Sequence, residues 1–128
     1  MIKLTVKQLV DAATGNQNGS ALSRFFALEK PVAVAWRNRG QIKACTEEMK
    51  LYEERRIALC DKYGTKDEKT GNYRFEDPDK LKKFTAELDE LGKQPVEISG
   101  EPIKLSELVA GSRLSESDAS LIEMFLTD

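Results

Sequence analysis

The sequence predicts a mainly helical α+β fold, in which shorter helices and a small antiparallel β element pack on one long central helix. The segment 31–63 carries apolar residues at helical spacing and contains no turn signal except Gly40. Short alternations of apolar and polar residues at 2–6, 96–98 and 103–105 favour brief strands. At 128 residues the chain is the size of one domain, 1–128, with its own core.

Composition and charge exclude several classes of protein. Twenty Lys and Arg residues against 22 Asp and Glu residues give a net charge of −2, so no global basic field exists for binding nucleic acid. The N-terminus, MIKLTVKQLV, lacks the apolar core of a secretion signal, and no apolar run approaches the length of a transmembrane helix. The sequence therefore predicts a soluble intracellular protein with no membrane partner and no strong nucleic-acid signal.

Capping residues delimit the first helices. Thr5 and Gln8 have the form of a capping box after the first strand, so a helix should follow to about Thr14. GNQNG at 15–19 is a turn cluster, after which Ser20 can cap a short helix. The buried face of this second helix is expected to contain Leu22, Phe25, Phe26 and Leu28.

The long helix is expected to begin at Pro31 and to stop at Gly64. It would span about 50 Å, whereas a globule of this chain length is roughly 36 Å across. Either the helix projects and packs on a second copy, which gives a homo-oligomer with the apolar stripe as its seam, or it breaks at Gly40. Asn38 and Arg56 interrupt the stripe. Its apolar members are Ala35, Ile42, Cys45, Met49, Tyr52, Leu59 and Tyr63.

The second half of the chain follows the charged stretch KYGTKDEKTGNYRFED. Asp77 and Pro78 form an N-cap and first-turn pair for a helix that stops at Gly92. The apolar alternations beyond it predict a small sheet that can include the N-terminal strand, and Ser115 opens a last short helix. The apolar faces of these two helices consist of Leu81, Phe84, Leu88 and Leu91, and of Leu121, Ile122, Phe125 and Leu126.

The sequence predicts no catalytic residues, no metal site and no cofactor. It contains no histidine, so Ser-His and Cys-His pairs are absent, and no phosphate-binding glycine loop occurs. An EF-hand count from Asp67 places Lys69 and Gly71 at ligand positions, so a tight turn around Gly71 explains the charged stretch better than a calcium loop. Cys45 and Cys60 are expected to be buried thiols that form no disulfide.

The most unusual local grouping lies between Lys30 and Lys43. Its arginines could hold a phosphate or carboxylate while the tryptophan stacks on a base, which makes an anionic, nucleotide-like molecule the candidate ligand. The glycine within it suggests that another group approaches the helix backbone closely. The structural alternative, which the residue pattern favours, is a basic first half of an amphipathic helix with Trp36 in the core. Arg56 on the stripe would then pair with a carboxylate across a helix interface or reach into a pocket. The candidate ligand-binding residues are Trp36, Arg37, Asn38, Arg39, Lys43 and Arg56.

The order of these elements resembles a family of small bacteriophage and prophage proteins known mainly as a domain of unknown function. The likeness covers roughly residues 28 to 108. It lies in PVAVAWRNRGQI, a helix with YEERRIALCDKYG, the loop TKDEKTGNYRFED, a helix through LKKFTAELDEL, and the closing VEISGEPIKLSEL. The resemblance implies a phage origin and a role in the host cell or the virion, and it brings no activity or functional residues.

Three functions remain open from the sequence. The first is a non-enzymatic phage protein that counters host defence, either by sequestering an anionic signal at a basic pocket between subunits or by blocking a host protein in the cytoplasm of the infected bacterium. The second is a structural or assembly component of the virion. The third, an enzyme, has only plentiful carboxylates in its favour, so the sequence favours a binding protein.

Overall fold

The computed structural model of the protein describes residues 1–16, 19–107 and 114–127. The helices of this part of the chain are α1 (Val6–Ala13), α2 (Ala21–Ala27), α3 (Val32–Tyr63), α4 (Pro78–Gly92) and α5 (Glu116–Leu121). Its strands are β1 (Ile2–Thr5), β2 (Gly15–Asn16), β3 (Gly19–Ser20), β4 (Thr65–Lys66), β5 (Tyr73–Arg74), β6 (Pro95–Ile98), β7 (Ile103–Lys104) and β8 (Leu126–Thr127). The predicted fold class, mainly α with a small β element, is confirmed. No helix in the described ranges is both long and apolar enough to cross a bilayer.

Strands β1 and β6 pair antiparallel at the base of the core. The register sets Ile2 against Ile98 and Leu4 against Val96, and all of these side chains are buried. Because side chains alternate between the two faces of a strand, the residues between them face solvent. The alternation seen in the sequence therefore predicted both the strands and their buried face correctly.

The caps of α1 and α2 form as their sequences predict. Thr5 Oγ1 accepts from the Gln8 backbone N–H at 3.2 Å, and Gln8 Oε1 accepts from the Thr5 N–H at 2.8 Å. Ser20 and Ser23 exchange the equivalent bonds at the start of α2. The flanks of the predicted GNQNG turn pair as β2 and β3, while its residues 17 and 18 lie outside the described residues.

Helix α3 is continuous over 32 residues and does not break at Gly40. Its length is about 48 Å. One face of the helix packs on α1, α4 and β6 of the same chain, so the face expected to bind a second copy is largely covered internally. In the first half of α3, Val34 and Gln41 face the core of the same chain, whereas Ala35 and Ile42 of the expected seam are exposed, so self-association through that seam stays a prediction. The apolar residues of VAVAW are consecutive, so their side chains point to every side of the helix. Such a run does not specify which side faces the core.

The far half of α3 forms a helical hairpin with α4. Phe84 and Leu88 are half-buried there, whereas Leu81, expected on the same face, is 42% exposed. The charged stretch between the helices folds as the β4–β5 hairpin, with Gly71 at a φ of 75°. The Phe75 ring packs on Phe84 at a centroid distance of 4.6 Å. The interpretation of this stretch as a turn and a brief strand is confirmed.

The C-terminal segment closes the core in a way that the sequence did not predict. Strand β7 pairs parallel with β8 rather than with β6, and residues 105–107 form a 3₁₀ turn instead of extending the strand. Helix α5 ends at Leu121, which is 39% exposed and therefore not on the expected buried face. Ile122 and Phe125 are fully buried, as expected.

An ion pair fastens α5 to α2. The Arg24 guanidinium donates through Nε to Asp118 Oδ2 at 2.6 Å and through Nη2 to Oδ1 at 2.8 Å. Only 12% of the Asp118 side chain is exposed. The hydrogen bonds from Arg24 lower the pKa of Asp118 below its ordinary value of 3.8. The carboxylate therefore stabilises the fold as long as it is ionised.

This pair predicts a specific acid sensitivity. A carboxyl group whose pKa is lower in the folded state stabilises the fold above its unfolded pKa, and that contribution is lost as the pH falls through the folded pKa. Asp118→Asn should therefore lower the urea midpoint at neutral pH, and the difference from the wild type should shrink below about pH 4. Glu53→Gln, which breaks an exposed pair within α3, is the control and should change the midpoint less. An equal deficit for Asp118→Asn at neutral and acid pH would contradict this assignment.

Candidate functional site

The candidate ligand-binding residues lie on different sides of α3. Trp36, Arg39 and Lys43 project from its outward side, opposite the face that packs on the core. Val32 and Gly40 occupy the same side, one turn before and one turn after Trp36. We call these five residues the outer patch. It carries two cations and no carboxylate.

Trp36 is the centre of the outer patch. It is 65% exposed, and Val32 beside it is 86% exposed. The Arg39 guanidinium lies 4.0 Å from the centre of the Trp36 ring, a cation–π distance. The alternative interpretation that places Trp36 in the core is therefore wrong, and one face of the indole is already covered by Arg39.

Gly40 leaves the helix backbone open beside Trp36. A Cβ atom built at Gly40 would meet no described atom within 4 Å. The close approach expected from the sequence is therefore not supplied by the described part of this chain. A glycine within a helix costs about 1 kcal/mol relative to alanine, so this position is one where a bound partner could lie against the backbone.

Arg37 lies outside the outer patch and holds the 3₁₀ turn at 105–107. Its guanidinium Nη2 donates to Glu107 Oε2. The backbone N–H of Lys104 donates to the other carboxylate oxygen at 3.0 Å. Both hydrogen bonds lower the pKa of Glu107, and the bond from the Lys104 backbone has the larger effect. Arg37 is thus already paired with a carboxylate of its own chain.

Asn38 lies on the inward side of α3 and is only 2% exposed. Its amide Oδ1 has no hydrogen-bond partner among the described residues, and the same is true of Gln41 Oε1 one turn later. The Gln41 amide nitrogen donates to the Glu101 carbonyl at 2.9 Å. Asn38 therefore lies on the opposite side of α3 from the outer patch and cannot touch a ligand there.

Arg56 lies far from the other candidates. Twenty residues of helix separate it from Trp36, about 30 Å along the axis. Its guanidinium binds both carboxylate oxygens of Glu53 at 2.9 and 3.1 Å on the same helix. The carboxylate that pairs with Arg56 thus belongs to the same helix, one turn earlier, and not to a helix across an interface. The apolar periodicity of the sequence did not distinguish these two partners.

Lys30 caps the end of α2 and does not belong to the group of cations on α3. Its ammonium donates to the carbonyl oxygens of Phe25, Phe26 and Leu28 at 3.0, 3.2 and 2.9 Å. These carbonyls end α2, where the helix has no donors of its own. The signal that could have revealed this is a lysine just after a short helix, where a basic side chain often caps the last turn.

The thiols and acidic groups form no metal centre in the described ranges. No group of three or more Cys, Asp and Glu residues there lies close enough to hold a metal ion. Cys45 and Cys60 are buried free thiols, as expected. Burial raises the pKa of Cys45 to about 12, so this thiol stays protonated at neutral pH.

The comparisons with known proteins add no function to this geometry. No protein-family model, curated protein or solved structure matches the chain. The functional argument therefore depends on the outer patch and the rest of this surface.

Proposed function

We propose that this protein is a non-enzymatic binding protein that docks through the outer patch on an acidic surface of another protein. The observation that carries the proposal is the 65% exposure of Trp36 with Arg39 stacked on its ring. Tryptophan and arginine are the residues most enriched among those that dominate binding energy at protein interfaces. Val32 lies one turn before Trp36 and is also exposed, so the two side chains form contiguous apolar surface, which is typical of an interaction site.

Charge indicates the chemistry of the partner. Arg39 and Lys43 give the outer patch two positive charges, and the nearest carboxylate on this side of α3 is Glu47, one turn beyond Lys43. A symmetric second copy at this patch would bring four cations together, and like charges across an interface oppose association. An acidic protein surface that carries an apolar side chain for Trp36 is complementary in both respects.

Shape favours a macromolecule over a small anion. Small ligands bind in concave sites that bury most of their surface. The outer patch is the convex side of a helix, and none of its residues lines the cleft between α1 and α4 or the groove beside Phe26, Cys45 and Met49. The nucleotide-like ligand expected from the sequence is therefore less well supported than a protein partner.

The phage likeness extends this proposal to a biological role. It supports a host protein as the partner and a counter-defence or accessory role in the cytoplasm of the infected bacterium. Self-association through α3 remains part of the proposal. It would use the outward side beyond the outer patch, where Leu51 and Ile57 are exposed, because the inward side is covered by α1, α4 and β6.

The emission of Trp36, the only tryptophan, reports directly on this surface. One probe is a synthetic amphipathic peptide with Asp and Glu beside leucines, and its control has the same sequence with Asn and Gln. We expect the acidic peptide to shift Trp36 emission to shorter wavelength and to protect the ring from acrylamide, and the neutral peptide to bind at least tenfold more weakly. Arg39→Glu should weaken binding of the acidic peptide by about tenfold or more without changing the fold.

Matched variants and other probes separate the outcomes. Leu51→Ala removes another exposed apolar side chain of α3, about 22 Å from Trp36, and should leave binding unchanged. A shift produced by adenosine monophosphate alone would favour the small-anion function instead. A shift that depends only on protein concentration would identify a second copy as the occupant. No shift with any probe would remove the outer patch from the proposal.

The second candidate function is a structural or assembly component of the virion. The observation in its favour is the uninterrupted 32-residue helix, whose outward side also exposes Leu51 and Ile57. A structural component should be present in purified particles at a fixed copy number, whereas an accessory protein should appear only in infected cells. Mass spectrometry of both fractions distinguishes the two functions.

A further inference from the structure

A cleft of about 510 Å³ lies between α1 and α4, on the side of α3 opposite the outer patch. Its volume is within the range of small-molecule sites. Val6, Val10 and Leu88 contribute apolar surface, and Tyr52 of α3 lies between the two walls. The cleft is about 24 Å along α3 from Trp36 and is independent of the proposed function.

The two walls of the cleft run in opposite directions. Strands β1 and β6 pair antiparallel, α1 follows β1, and α4 precedes β6. The Val6 N–H donates to the Gln94 carbonyl at 2.9 Å where the helices meet the strands. A Cβ atom at Gly92 would lie 3.4 Å from Lys7 Cβ, which sets the start of α1 beside the end of α4.

This arrangement separates the charges of the cleft into two ends. Lys7 lies beside Gly92, so the adjacent Lys93 lies at the same end of the cleft. Asp11 is one turn further along α1 and Asp89 one turn earlier along α4, so antiparallel walls place both carboxylates at the other end. Four residues of helix separate the two ends by about 6 Å.

These charges are little used within the described chain. Lys7, Asp11 and Asp89 have no ion pair or side-chain hydrogen bond with any described residue, although each has an opposite charge four positions away. Lys93 lies 3.5 Å from Glu90, and both of those side chains are about 70% exposed. The cations and carboxylates thus remain available to a ligand, and together they are neutral.

Tyr52 of α3 forms the floor of the cleft between α1 and α4, and its hydroxyl adds a polar group to the apolar surface. Tyr52 is half-buried. Burial raises the pKa of its phenol, and the nearby Asp11 carboxylate acts in the same direction. The hydroxyl group therefore stays protonated and can both donate and accept a hydrogen bond.

We propose that the α1–α4 cleft binds a small zwitterion whose ammonium and carboxylate are about 6 Å apart, such as a dipeptide or an ω-amino acid. The carboxylate binds at Lys7 and Lys93, the ammonium at Asp11 and Asp89, and the chain between them lies on the apolar floor. The two carboxylates would repel a phosphate, and the two lysines would repel a metal cation, so neither fits the cleft as well as a zwitterion. Because these ion pairs are exposed to water, the affinity is expected to be in the millimolar range.

Heteronuclear NMR titration of the full chain with Ala-Ala tests the proposal, since it detects weak binding and locates it. We expect shifts at α1, at the end of α4 and at Tyr52, and none at Trp36. N-acetyl-Ala-Ala lacks the ammonium and Ala-Ala-amide lacks the carboxylate, so each should bind at least about fivefold more weakly than the free dipeptide. γ-Aminobutyrate should shift the same residues.

Charge variants make the outcome specific to each end. Asp11→Asn should remove the preference for the free over the acetylated dipeptide and keep the preference over the amide. Lys7→Gln should do the reverse. The proposal is overturned if the three dipeptides bind equally, if the shifts lie elsewhere, or if no shift occurs at about 10 mM ligand. Because Trp36 emission does not report on this cleft, failure here leaves the outer-patch proposal unaffected.

Discussion

Phe125→Ala is expected to lower the free energy of unfolding by about 3–5 kcal/mol. The Phe125 ring is completely buried and lies 6.0 Å from Phe25 and 6.2 Å from Phe26, measured between ring centroids. Truncation removes the apolar contact and leaves a cavity where the C-terminal segment meets α2 and β1. Because domains are stable by only about 5–15 kcal/mol, the variant should be close to unfolding.

Urea unfolding followed by circular dichroism measures this effect, and two variants calibrate it. Phe125→Leu keeps most of the side-chain volume and should cost less than about 1.5 kcal/mol. Phe84→Ala removes a half-buried ring in the α3–α4 hairpin, so its cost should be lower, about 1–2 kcal/mol. Equal losses for Phe125→Ala and Phe84→Ala would show that the C-terminal segment does not close the core.

Lys30→Met is expected to cost about 1–3 kcal/mol. The ammonium donates to carbonyl oxygens at the end of α2 and lies 5.4 Å from the centre of the Phe25 ring. Burial lowers the pKa of Lys30, while the carbonyl oxygens favour its charged form, so the group is protonated at neutral pH. Methionine keeps the length of the stem but removes every donor.

Lys43→Met is the matched control. Lys43 is exposed and forms no hydrogen bond or ion pair with the described residues, so the thermal midpoint should remain close to that of the wild type. The two variants should also differ in function. Lys30→Met is expected to lower stability alone, whereas Lys43→Met is expected to weaken binding of the acidic peptide to the outer patch. A stable Lys30→Met protein would show that water satisfies the freed carbonyl groups.

Signals within a few residues predicted the individual elements well. The capping box at Thr5, the cap at Ser20, the stop at Gly64 and the Asp77-Pro78 start occur where expected, because a cap requires only atoms of one helical turn. The alternating strands also paired on the face that their apolar residues indicate. Such signals do not depend on the rest of the chain.

The candidate site was predicted only as a group of residues close in sequence. Consecutive residues on a helix point in directions about 100° apart, so Trp36, Arg37 and Asn38 lie on three different sides of α3. The sequence drew attention to Trp36 and Arg39 but favoured the core for the indole. Choosing the exposed side required knowing which face of α3 meets α1 and β6.

By itself the sequence determined the helical class, the ends of most elements and the absence of histidine chemistry, since composition and short-range hydrogen bonds specify these. Tertiary structure alone decided the exposure of Trp36, the capping by Lys30, the pairing of β7 with β8 and the separation of charges in the α1–α4 cleft. Each of these depends on which segments distant in the chain come together. That choice minimises exposed apolar surface over the whole molecule, and no local pattern contains it.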